Sequence, residues 1–116
     1  MSGLNIDSAL FIGLITIGPI FVMIGLLLAL FPPTKMNGFY GYRSPQSMKS
    51  QKNWAFAQVH AAAGFLRWGL ILTAIAMTGL LIPVPKALEV FLFAFFTGFS
   101  IYRIIRTTEK DLKHVE

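Results

Sequence analysis

Side chains able to do chemistry are few in this chain of 116 residues. It has no cysteine and two histidines, His60 and His114, which excludes disulfides, thiolate metal sites and cysteine nucleophiles. The nearest approach to a catalytic pair is Ser44 or Ser47 with His60 as base, and the sequence places no third residue to orient that histidine. We therefore expect no enzyme, no cofactor and no metal site.

Three polar residues, Asn53, His60 and Arg67, recur every seven positions, from just before the second predicted span (about 56–82) into its first half. Seven helical steps of about 100° return to within about 20° of the same direction, so the three residues would form one polar stripe. Ionisable groups at membrane depth tend to face protein or water, which favours a binding groove or a partner helix. The alternative is that Arg67 lies near the boundary and reaches lipid phosphates, with Trp68 beside it.

The elements that must position these residues are membrane-spanning helices. Hydrophobic residues make up 55% of the chain and charged residues only 13%, against about 25% charged residues in a soluble domain. Long stretches without Asp, Glu, Lys or Arg are typical of transmembrane helices. These stretches are 8–34, 68–85 and 90–102.

We predict an all-α integral membrane protein with three transmembrane helices and a structured loop between helices 1 and 2. The predicted spans are about 8–31, 56–82 and 87–105, in a single module of residues 1–116. The loop, residues 32–54, is called the motif loop below. We expect the tail, 107–116, to be a solvated helical extension with pairs such as Glu109 with Lys113.

The basic residues indicate the orientation. Four lie in the motif loop with no acid, four lie in the arm that starts at Arg103, and none precedes the first span. The positive-inside rule then places the N-terminus outside and the C-terminus in the cytoplasm. The net charge of +5 is explained by this topology, so we expect no nucleic-acid partner.

Small residues are candidates for close helix packing, because the hydrophobic effect does not hold helices together in lipid. The candidates are Gly18, Gly25 and Ala29 in the first span, Ala61 and Gly64 in the second, and Ala94 and Gly98 in the third.

The motif loop has a composition that crossing a membrane does not explain. Asn37-Gly38 is a strong turn dipeptide, and both Gly38 and Gly41 permit positive φ. Ser44-Pro45 pairs a good N-cap with proline at the first helical position. From Pro45 we expect a short helix along the membrane interface.

This loop resembles the motif of the SdpI/YfhL membrane proteins, a bacterial family named for an immunity protein that protects a cell from its own secreted peptide toxin. The matching residues are Pro32, Pro33, Lys35, Asn37, Tyr40, Gly41, Tyr42, Arg43, Pro45, Ser47, Met48, Lys49 and Trp54. Ser44 replaces the usual threonine, and Gln46 stands where the family often has a basic residue. The matching positions from Asn37 onward, together with Ser44, are our candidate binding residues.

The resemblance implies a non-catalytic immunity or signalling protein of the bacterial inner membrane that acts against a membrane-active peptide. Some members of the family also hold a transcriptional repressor at the membrane, so the resemblance implies this role as well. Assembly of this short chain as a homodimer is a further alternative. The alternative is a small homo-oligomeric transporter or channel for an anionic or lipid-like substrate, since no acid lies mid-span to drive proton-coupled cation export.

Two roles remain open for the loop itself. Its cations and aromatic rings suit anchoring to anionic lipids at the cytoplasmic side. Alternatively, Asn37, Arg43, Ser44 and Ser47 form a hydrogen-bonded cap that packs on the polar stripe and recognises a partner.

Overall fold

The computed structural model describes residues 4–115, in which every regular element is an α-helix. The helices are α1 (Ala9–Leu30), α2 (Gln51–Leu81) and α3 (Lys86–Leu112). All three are long and apolar enough to cross a membrane, which confirms the predicted three-helix membrane fold. Residues 1–3 and Glu116 of the predicted module lie outside the described part.

Helices α1 and α2 are antiparallel and in backbone contact. A Cβ added to Gly18 would lie 3.0 Å from the Gly69 carbonyl, and one added to Gly25 would lie 2.9 Å from the Ala62 carbonyl. Small residues therefore let the two backbones approach closely, as expected for helices in lipid. Gly18 and Gly25 are among the small residues that we predict for close helix packing, and Gly69 is not.

The small residues of α3 have no such role. Ala94 is exposed, and nothing lies within 4 Å of a Cβ placed on Gly98, so the packing prediction was wrong for this helix. Instead α3 packs through large side chains. Phe93 lies over Gly13 of α1, and Ile104 lies over Gly64 of α2.

The predicted helix from Pro45 is only one turn. The Met48 amide donates to the Ser44 carbonyl (3.1 Å), and α2 then begins after Ser50, whose side chain accepts from the Asn53 amide. The last four residues of the motif loop therefore form the first turn of α2.

The predicted helical extension is present, since α3 continues to Leu112, but one face of it packs against the other elements and is not solvated. Thr108 and Leu112 are fully buried. At 1.5 Å per residue, the 31 residues of α2 and 27 of α3 span about 46 Å and about 40 Å, more than the hydrocarbon core of about 30 Å. The N-terminal turns of α2 and the C-terminal turns of α3 meet at the end of the bundle that carries the motif loop, called the loop end below.

Candidate functional site

Gln58 of α2 holds the backbone of the motif loop. Its Oε1 accepts from the Tyr42 amide (2.7 Å), and its Nε2 donates to the Tyr42 carbonyl (2.8 Å). The side chain is 1% exposed, so both polar ends are satisfied inside the protein, as burial requires. One side chain thus fixes both backbone groups of a residue in the centre of the family motif.

Trp54 ties the beginning of the loop to α2. Its indole is fully buried, and Nε1 donates to the Pro33 carbonyl (2.6 Å). Gly41 passes close to the same elements with φ of +109°. A Cβ at this position would lie 2.7 Å from both Gln58 Oε1 and Pro33 Cγ. Positive φ and the absence of a side chain are therefore both required at Gly41.

Glu109 of α3 holds the loop from the other side. The Tyr42 hydroxyl (2.6 Å) and the Ser44 hydroxyl (2.7 Å) both donate to Glu109 Oε2. Hydrogen bonds to an ionised acceptor are stronger than neutral ones. The motif loop is consequently attached to α2 by Gln58 and Trp54 and to α3 by Glu109.

The Tyr42 phenol remains a donor in this arrangement. Burial raises its pKa above the ordinary value of 10.0, and the hydrogen bond to Glu109 and the negative charge of that carboxylate raise the pKa further, while Ser44 acts in the opposite direction. At neutral pH the phenol therefore stays protonated and donates a hydrogen bond to the carboxylate.

We expect Tyr42 to steepen the loss of stability in alkaline solution. The unfolded phenol releases its proton near pH 10 and the folded one at higher pH, so its contribution is complete below pH 10 and is lost as the pH rises through the folded pKa. Tyr42→Phe should flatten the decline of the melting temperature above pH 10.0, measured in detergent. Equal slopes in the wild type and Tyr42→Phe would contradict this expectation.

Within the loop, short-range hydrogen bonds fix the turns. Asn37 Oδ1 accepts from the amides of Phe39 (2.9 Å) and Tyr40 (2.7 Å), which closes the turn expected at Asn37-Gly38. Ser44 and Ser47 bond each other's amides through their hydroxyls.

The Tyr40 hydroxyl satisfies the C-terminal end of α1. Its single proton is shared between the carbonyls of Leu27 (2.9 Å) and Phe31 (2.7 Å). The Leu27 carbonyl also accepts from the Phe31 amide (2.8 Å), whereas the Phe31 carbonyl lies past the last residue of the helix. Tyr40, Tyr42 and Trp54 of the motif therefore all stabilise the fold through hydrogen bonds.

In the structure, Asn53 and His60 of the polar stripe bond to other parts of the chain, whereas Arg67 is exposed. Asn53 is buried, and its Nδ2 donates to the Gln46 carbonyl (2.9 Å). His60 is half-buried against α3, with Nε2 2.7 Å from Asp111 Oδ2 and Nδ1 3.2 Å from Thr108 Oγ1. Arg67 is exposed on the surface of α2.

The loop residues expected to cap the stripe bond elsewhere. Asn37 bonds within its own turn, and Ser44 bonds Ser47 and Glu109. The Arg43 guanidinium is exposed and lies 3.5 Å from the Gly41 carbonyl. In the described contacts Ser44 and Ser47 therefore do not meet His60, the base considered for them.

The remaining candidate residues lie on the outer surface of the loop. Pro45, Met48 and Lys49 are exposed, Met48 with 41% of its area. Phe39, which precedes the Tyr-Gly-Tyr-Arg run, is 95% exposed. The motif loop thus has an inner face that binds the helices and an outer face of apolar and basic side chains.

The family model described as the SdpI/YfhL protein family matches residues 34–105, which include most of the motif loop, all of α2 and most of α3. This chain belongs to the SdpI/YfhL family. A Bacillus subtilis (strain 168) relative, named uncharacterized protein YfhL, is 38% identical over 60 residues, 52% of this chain and 54% of that protein. The chain therefore spans about half the length of the curated relative it matches. No solved structure matches it.

Sequence reasoning identified Trp54 but missed Gln58 and Glu109, which also attach the SdpI/YfhL motif to the helices, and Asp111, which bonds His60. Gln58 is recognisable in hindsight, because it lies at helical spacing with Trp54 and the buried alanines Ala61 and Ala62. Glu109 and Asp111 gave no such signal, since alternating charges near a chain end are typical of solvent-exposed helices. Both lie beyond the span that the family model matches.

Proposed function

We propose that this SdpI/YfhL protein is a non-enzymatic immunity or signalling protein that protects a bacterial membrane from a membrane-active peptide. Family membership supports the proposal, because the family is named for an immunity protein of this kind. The Ser44, Ser47 and His60 contacts also favour binding over catalysis, since they leave the serines without a histidine base.

The single observation that carries the proposal is the two-faced motif loop. Its inner face is fixed by Gln58, Trp54 and Glu109, while Phe39 and Met48 point an apolar surface outward. Since we place the loop on the cytoplasmic side, the peptide it recognises is one that has inserted through the bilayer to the inner interface, where exposed apolar side chains suit it. A loop held in one conformation also lowers the entropic cost of binding.

We place the loop and the C-terminus in the cytoplasm and the N-terminus outside, in the bacterial inner membrane. The basic residues of the loop and of the α3 arm support this orientation. Because the chain has no cysteine, the variants Asn5→Cys and Lys110→Cys test it directly. An impermeant thiol reagent should label the first in intact cells and the second only after permeabilisation, and the reverse would contradict the orientation.

The function is tested by survival of a sensitive strain that expresses the chain and is exposed to the secreted peptide toxin for which the family's immunity protein is named. We expect wild-type protein to protect, and Phe39→Ala to reduce protection by about tenfold in peptide concentration, as for loss of a contact worth about 1.4 kcal/mol. Phe91→Ala is the matched control, since Phe91 is also well exposed, at 61%, but lies at the opposite end of α3.

Absence of protection at verified membrane levels of the wild-type protein would count against the function. Full protection by Phe39→Ala would retain the function but reject the outer face of the loop as the recognition surface.

A further inference from the structure

A groove of about 530 Å³ opens beside the motif loop, between α1 and α3. Leu27 and Leu28 form one wall, Ile101 and Ile105 the other, Phe65 the floor, and residues 40–43 the roof. The groove exists because α3 touches α1 through Phe93 at the far end and lies on α2 at the loop end.

The walls are open to the surroundings of the helices. Leu27, Ile101 and Ile105 keep 48%, 43% and 47% of their areas exposed. In a membrane, exposed apolar side chains on a spanning helix face hydrocarbon, so the groove is a lateral recess open to lipid.

The polar end of the groove presents a cation. The hydroxyls of Tyr40 and Tyr42 are already used by the Leu27 carbonyl and the Glu109 carboxylate. Arg43 is exposed, and its Nη1 makes a contact of 3.5 Å with the Gly41 carbonyl, which leaves most of its five N–H donors for a ligand. Since no carboxylate among residues 4–115 lines the groove, its charge favours an anion.

The size of the groove distinguishes the two kinds of apolar occupant. A helix with side chains is about 10–12 Å across, so a volume near 530 Å³ would hold only about one turn of it. An acyl chain is far thinner and fits such a recess along its length.

We propose that this groove binds an anionic phospholipid, with one acyl chain between α1 and α3 and the phosphate on Arg43. Guanidinium matches phosphate oxygens with paired hydrogen bonds. The site goes beyond the proposed immunity function and does not depend on it, because lipid binding is measured with no toxin present.

The test uses the full chain in vesicles of mixed phosphatidylglycerol and phosphatidylcholine, followed by native mass spectrometry of the lipids it retains. We expect preferential retention of phosphatidylglycerol, and a reduction of about fivefold in Arg43→Gln, the effect of one basic residue at an anionic surface. Arg103→Gln is the matched control, because Arg103 is exposed on the opposite face of α3 from Ile101. It should retain phosphatidylglycerol like the wild type.

A second measurement locates the acyl chain. Phosphatidylglycerol with a photoreactive acyl chain should cross-link within residues 24–28 and 101–105. Ile101→Trp should fill the groove and abolish these cross-links, whereas Ile20→Trp should not, since Ile20 is equally exposed on α1 but outside the groove.

Three results would overturn the proposal. They are equal retention of the two lipids by the wild type, equal losses in Arg43→Gln and Arg103→Gln, and cross-links spread evenly along the helices.

Discussion

Trp54→Ala should lower the free energy of unfolding by about 3–5 kcal/mol, the usual cost of deleting a buried aromatic side chain. The indole is fully buried and also donates to the Pro33 carbonyl, which is itself in a buried residue. Its loss leaves a cavity between the loop and α2 and a carbonyl without its donor. Chemical denaturation in detergent measures the change, and hydrogen exchange of residues 32–50 shows whether the loop is released.

Two variants separate the causes. Trp54→Phe keeps most of the packing but removes the donor, so we expect a smaller loss of about 1–3 kcal/mol from the unsatisfied carbonyl. Trp68→Ala removes a second tryptophan, which packs edge-on against Phe99 of α3, and should leave loop exchange unchanged. Equal loop exchange in wild type and Trp54→Ala would show that this residue does not hold the loop.

Gly41→Ala should loosen the same loop through the backbone. A residue other than glycine at φ of +109° is strained by about 1–3 kcal/mol, and the new Cβ would also collide with Gln58 Oε1 and Pro33 Cγ. Both hydrogen bonds between Gln58 and Tyr42 should weaken. We expect faster exchange of the Tyr42 amide and a lower melting temperature.

The control is Gly38→Ala, three residues earlier in the same loop. Nothing lies within 4 Å of a Cβ at Gly38, and Gly41 alone has positive φ among the glycines of residues 4–115. We expect a change within about 0.5 kcal/mol. If both alanine variants behaved alike, the strain argument at Gly41 would fail.

The inner and outer faces of the motif loop divide the family motif by role. Tyr42, Ser44 and Trp54 are used to hold the loop, so their replacement is expected to act through loop order. Arg43 and Met48 are exposed, so their replacement is expected to act on binding with the fold intact. This division makes loop hydrogen exchange the measurement that separates a folding defect from a recognition defect.

The sequence by itself determined the three helices, the family and the position of the motif loop. Each depends on a local pattern: charge-free stretches of spanning length, and a run of loop residues that the membrane does not explain. It also identified Gly18 and Gly25 as packing residues, because small side chains in a spanning helix have few other uses.

The tertiary structure alone decided which residues hold the loop and where an open recess lies. Glu109 is 67 residues from Tyr42, and Asp111 is 51 residues from His60. Local spacing carries no information about such pairs, which form because antiparallel helices bring the start of α2 and the end of α3 to one end of the bundle. The packing of α3 also gives His60 and Arg67 different surroundings. Half a helix turn of rotation, or a few ångströms along the helix, decides whether a side chain meets a neighbouring helix or lipid.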